Sequence, residues 1–168
     1  IPSLLIKFCL LGVRTPSQPY SSQNSNTIDS HFIEQMIPHH EDAITMAKLA
    51  LERATHQEII DLSNSIIESQ SKENEMMKEW YKEWFGKDVP TGVEVMGSHG
   101  MMSRGSGMHM GMMGGDADIE DLKSSTDFDR EFIRQMIPHH QMAIMMSNML
   151  EKSTKRSEMK KLAEGIVS

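Results

Sequence analysis

Cysteine is almost missing from this 168-residue chain: Cys9 stands alone, so no disulfide can form within it and no thiolate cluster can hold a metal. Aromatic residues are scarce as well, nine in all against 17 methionines. Positive charge is not in excess. The formal net charge of −7 argues against nucleic acid as the main partner, because phosphate contacts need lysine and arginine. No apolar run reaches the roughly 20 residues that a bilayer span needs. Leu4 to Val13 is the longest, and Lys7 interrupts it, so stable membrane insertion of the mature domain is not expected. Glu-x-x-His, the signature of di-iron carboxylate bundles, occurs nowhere in the chain. Neither does a phosphate loop or a nucleophile–base–orienter set. An enzyme is therefore not expected. The readings still to be weighed are a metal-binding protein, a ferritin-like di-iron redox enzyme, and a metal-independent helical interaction module.

What is present is a repeat. Phe32-Ile33-Glu34-Gln35-Met36-Ile37-Pro38-His39-His40 returns as Phe132-Ile133-Arg134-Gln135-Met136-Ile137-Pro138-His139-His140, and the match continues through Ala43/Ala143, Ile44/Ile144, Met46/Met146 and Glu58/Glu158. Agreement at this density marks a duplicated unit. Apolar residues recur every three or four positions in each copy, and Gly86 is a natural helix stop. Thr126 with Asp129 three residues on resembles an N-terminal capping box. Each unit reads as two helices, with Pro38 and Pro138 either kinking a helix or opening a new one. Two amphipathic hairpins bury their apolar faces against each other, which predicts an all-α four-helix bundle. The expected divisions are a tail or signal-peptide remnant at 1–26 and a bundle domain at 27–168. Within the domain, 27–86 is the first hairpin, 87–118 a Met/Gly/His-rich loop, and 119–168 a second hairpin whose last helix is cut short.

The histidines and methionines carry the chemistry. Thioether sulfur is a poor ligand for hard cations and suits Cu(I), while imidazole accepts both copper oxidation states. Methionine also binds without losing a proton and forms no disulfide, which suits copper handling outside the reducing cytosol. In the first unit Met36, His39 and Met46 share a helix face, with His40 leaning to the other side of Met36. In the second unit His139, Met142, Met146 and Met149 form a stripe spaced three, four and three apart, beside Met136 and His140. Methionines at such spacing also serve as adaptable core residues, so packing and ligation both stand open for them. The loop donors His99, Met101, Met102, Met108, His109, Met110, Met112 and Met113 lie among glycine, serine and arginine with no amphipathic period. Packing does not account for them, and a flexible backbone can wrap them around an ion.

The duplicated Met-Ile-Pro-His-His unit in helical hairpins resembles a bacterial family of domains of unknown function built on a ferritin-like helical bundle. The resemblance runs from about residue 28 to residue 168, and with the Met-rich spacer it points to the family's periplasmic copper-binding members. It implies binding of Cu(I), Cu(II) and their mimic Ag(I) in the periplasm or after secretion, and a role in copper resistance. It further implies Met36, His39, His40, Met46 and their counterparts as ligands, with a copper efflux or sensor protein as partner.

Overall fold

A computed structural model describes residues 20–90 and 116–168, with side chains from 26 and from 119 onward. It holds α1 (Tyr20–Arg53), α2 (Gln57–Phe85), α3 (Asp116–Ser124), α4 (Phe128–Ser153) and α5 (Ser157–Val167). Among the described residues there is no strand, as the 3.6-residue periodicity predicts. The helical hairpins α1–α2 and α4–α5 pack together through their long first helices, α1 against α4. Two elements go beyond the sequence reading. Helix α1 begins at Tyr20, inside the segment read as a tail, and the short α3 precedes the second hairpin. Pro38 and Pro138 stand inside α1 and α4, which run through them; neither proline opens a new helix. Each still leaves the carbonyl four residues earlier without its helical partner, so the backbone is weakened just before each His-His pair.

The helix ends show why the chain turns where it does. Gly86 closes α2 in the left-handed region, φ 69°, and its N–H donates to the Lys82 carbonyl at 2.9 Å. Only glycine adopts this conformation without a steric penalty. At the start of α4 the expected capping box is replaced by a cap one residue later: Asp127 accepts from the Arg130 N–H at 3.4 Å. Asp129 is engaged elsewhere. It reaches across to the α1–α2 turn, where it accepts from the Thr55 N–H at 3.1 Å, the Thr55 hydroxyl at 2.7 Å and the His56 N–H at 3.0 Å. Its mate Asp29, fully buried, approaches the α4–α5 turn, with Arg156 Nε 3.2 Å away. The first helix of each hairpin thus holds the turn of the other, and the duplication becomes an approximate two-fold arrangement.

The core falls into two clusters. One gathers Phe32, Ile33, Met36, Met77, Tyr81, Met159 and Leu162; the other gathers Met46, Ile59, Ile66, Leu122, Phe128, Phe132 and Met136. Burying each of these large apolar side chains stabilises by about 1.5–3 kcal/mol before chain entropy is counted. Trp80 stacks on Trp84 at 5.5 Å, and the Arg156 guanidinium lies 4.1 Å from the Trp84 ring, closing one end of the bundle. The hairpins differ in length. Ile33 and Ile37 are buried, but their mates Ile133 and Ile137 are 42% and 54% exposed, because α5 is much shorter than α2.

Candidate metal centre

Because His39 and His139 occupy matched positions on α1 and α4, the two-fold arrangement brings them together: their ring centroids are 3.6 Å apart. The neighbouring rings of His40 and His140 lie 6.3 and 6.2 Å from them. His39, His40 and His139 are buried and His140 is half-buried. His40 Nε2 meets the Glu73 carboxylate of α2 at 2.8 Å. Both ring nitrogens of His39 and of His139 are buried without a well-aligned hydrogen bond, a costly arrangement in a core that could hold leucine.

The electrostatics keep the rings of His39 and His139 neutral. Burial, reinforced by the neighbouring imidazoles, lowers the pKa of His39 to about 4 and that of His139 to about 3. Burial also lowers His140. A neutral imidazole keeps a lone pair for a metal, so these positions do not have to lose a proton on binding at neutral pH.

Beside the pair opens a groove of about 480 Å³ between α1 and α4. Helix α1 contributes Ile28, His31, Phe32, Gln35, His39 and Asp42; α4 contributes Met142, Met145, Met146, Met149, Leu150 and Ser153. Met145 and Met149 are 50% and 64% exposed. At the mouth Gln35 Nε2 is 2.7 Å from His31 Nε2. A smaller hollow of about 300 Å³ runs past Met136, Ile137 and His140.

The two-fold arrangement is broken where it bears on this groove. It maps Met142, Met145, Met146 and Met149 onto Asp42, Thr45, Met46 and Leu49, and that copy of the groove is filled. There α3 inserts Leu122, fully buried in the cluster with Met46, Phe128 and Phe132. The Arg53 guanidinium donates to the carbonyls of Leu122 at 3.2 Å, Ser125 at 2.9 Å and Lys123, and it lies over the Phe128 ring.

The structure therefore sorts the residues singled out from sequence. His39, Met142, Met146 and Met149 share the open groove. Met36, Met46 and Met136 belong to the core clusters, and His40 is engaged by Glu73. His99, Met101, Met102, Met108, His109, Met110, Met112 and Met113 lie outside the described residues. Among the described residues no three His, Cys, Asp or Glu side chains stand together as a cage. The donors that can join an imidazole in the groove are therefore mainly thioether sulfurs, a set suited to a soft ion. Sequence reasoning passed over Glu73, 33 residues from its partner, because no local pattern links the two.

A family model described as "Domain of unknown function (DUF305)" matches residues 29–168. The chain belongs to the DUF305 family. Its similarity to solved structures is high for CopM. The Cu(II)-bound form is 47% identical over 83% of this chain and 85% of that one, with a TM-score of 0.70. The Cu(I)-bound form is 44% identical over 83% and 84%, with a TM-score of 0.66. The Ag-bound form from co-crystallization is 42% identical over 83% and 84%, with a TM-score of 0.65. None of the curated proteins compared matches this DUF305 chain.

Proposed function

We propose that this protein binds copper without being an enzyme, holding Cu(I) by preference and Cu(II) as well, and that it sequesters or hands on the metal outside the cytoplasm. The observation that carries the reading is the open groove, where a buried, neutral His39 stands with Met142, Met146 and Met149. A soft monovalent ion finds both of its preferred donor types there, and neither has to give up a proton. CopM, similar over 83% of the chain, is solved with Cu(I), Cu(II) and Ag bound. The periplasm or the exterior is the fitting location for donors that are methionines rather than cysteines. The described residues also contain no helix long and apolar enough to cross a membrane. Contribution to copper resistance follows if the bound ion is withheld or passed to an efflux or sensor protein.

Anaerobic competition for Cu(I) against a chromophoric chelator tests this. The wild-type chain is expected to withdraw Cu(I) from the chelator, and the triple variant Met142→Leu/Met146→Leu/Met149→Leu to withdraw fewer equivalents at equal helicity. Equal equivalents for the two proteins would remove the groove from the function. A di-iron site has little support, since imidazole and thioether converge here rather than carboxylates.

A further inference from the structure

The described methionines divide by exposure. Met36, Met77 and Met159 are 0% exposed, and Met46 and Met136 are buried with them. In the groove between α1 and α4, Met142 and Met146 are half-buried, while Met145 and Met149 stand 50% and 64% exposed. A buried thioether fills core space. An exposed one adds little packing and leaves its sulfur open to any oxidant in the surrounding water. The two-fold mates of Met145 and Met149 are Thr45 and Leu49, which carry no sulfur, so the exposed thioethers belong to the copy of the groove that is open.

We propose that Met149 is an oxidation switch: an oxygen-donating, two-electron oxidant of the peroxide class converts its thioether to the sulfoxide and so turns off soft-ion binding in the groove. This rests on the reading of the groove as a soft-metal site and names its regulation. With hydrogen peroxide, a sulfur lone pair attacks one oxygen and the O–O bond breaks as the S–O bond forms. The departing hydroxide takes the remaining proton and leaves as water. Sulfur loses two electrons and the peroxide gains them. The product offers a metal a hard oxygen in place of a soft sulfur, so its hold on a monovalent soft ion is lost. Ion and oxidant draw on the same sulfur electrons. A filled groove is therefore shielded, and oxidation takes hold when the ion has left.

Exposure also decides what the fold suffers. A sulfoxide oxygen on Met149 stays in water and needs no protein partner, whereas one on Met77 or Met159 would be buried in the core without one, at a desolvation cost. Oxidation at Met149 thus alters the site and leaves the bundle standing. Methionine sulfoxide reductases can then return the thioether.

The test exposes the full chain to hydrogen peroxide, metal-free and loaded with Ag(I). Peptide mass spectrometry follows each methionine, circular dichroism follows helicity, and the His39 ring NMR signals report Ag(I) in the groove. Met149 is expected to oxidise at least about tenfold faster than Met77, whose sulfur is reached only when the bundle opens. Ag(I) should slow Met149 and leave unchanged Met76, which is 39% exposed on α2 and off the groove. The oxidised protein should keep its helicity and hold Ag(I) about tenfold or more weakly, the scale on which even a supporting contact around a metal is felt. Reductases for both sulfoxide epimers should restore the affinity. Other methionines react too, so Met149→Leu carries the attribution: already without the thioether, it should lose no further affinity on oxidation, whereas Met145→Leu should respond as wild type does. Oxidation of Met149 no faster than that of Met77, an undiminished Ag(I) affinity in its sulfoxide, or a Met149→Leu protein that still responds overturns the switch. So does a loss of Ag(I) that comes with a loss of helicity, which would mark damage to the fold. Failure of the groove reading itself is seen before any oxidant is added, as Ag(I) binding that ignores Met142, Met146 and Met149.

Discussion

Replacing His39 by leucine separates a ligand from a structural residue. Its ring nitrogens are buried and find only the His139 backbone, in poor alignment, and a buried polar atom left unsatisfied costs about 1–3 kcal/mol. Leucine removes them. It also loses the ring contact with His139 at 3.6 Å, and a change of shape at similar volume costs up to about 1.5 kcal/mol. The metal-free protein should therefore gain about 1 kcal/mol, or about 2–4 °C in Tm for a chain of this size, while losing metal from the groove. His40→Leu is the internal control and should go the other way. Its Nε2 bond to Glu73 is 2.8 Å long, and the Glu73 side chain is 22% exposed, so the carboxylate left behind should cost about 1–2 kcal/mol. Thermal unfolding followed by circular dichroism, at neutral pH with a chelator present, measures both. If His39→Leu loses as much stability as His40→Leu, the His39 imidazole is a structural member of the core and the case for it as a ligand falls.

Asp129→Ala should be the more damaging of the two carboxylate losses at the start of α4. It frees four donors of the Thr55–His56 turn, the His56 ring nitrogen among them, for about 2–3 kcal/mol. Asp127→Ala removes a single long cap contact, for about 1 kcal/mol; urea unfolding that ranks them the other way would refute the cross-hairpin tie. The Asp129 carboxyl is held down to about 2, chiefly by its hydrogen bond with His56. Its stabilisation is thus complete above the ordinary carboxylate range and is lost as pH falls through about 2; Asp129→Asn should flatten the acid limb of the stability curve there. The buried histidines act at higher pH. Because the fold holds His39 and His139 neutral to about 4 and 3, the unfolded chain takes up protons first, so stability declines below about pH 6.5 until those values are passed. Imidazole NMR signals should show the two rings neutral at pH 5, and Ag(I) should stay in the groove at that pH. Titration of either ring near 6.5 would contradict the burial argument.

The repeat made most of the fold legible. Matched apolar periods in two copies required two hairpins, and Gly86 stopped α2 where its conformation demanded glycine. The Asp129 contact was not legible, because its partners lie 73 and 74 residues away and the local Thr126–Asp129 spacing mimicked a cap. The stripe was read as His139, Met142, Met146 and Met149, but the imidazole that lines the groove with these methionines is His39 of α1. Periodicity alone could not say which of its methionines met solvent: Met149 is 64% exposed while Met46, on an equally regular face, is buried. The difference comes from α3, which covers one copy of the groove and not the other. Nothing in the repeat foretells that, since among the described residues α3 has no separate counterpart in the first unit, where α1 already runs from Tyr20.

Methyl NMR of methionine-labelled protein during an anaerobic Ag(I) titration tests the groove most directly. The Met142, Met146 and Met149 Cε signals should shift and saturate together with the His39 ring signals, while the core methionines Met77 and Met159 stay still. Shifts that leave Met142, Met146, Met149 and His39 unmoved at saturation would show that the ion is held elsewhere and that the groove between α1 and α4 is not the metal centre.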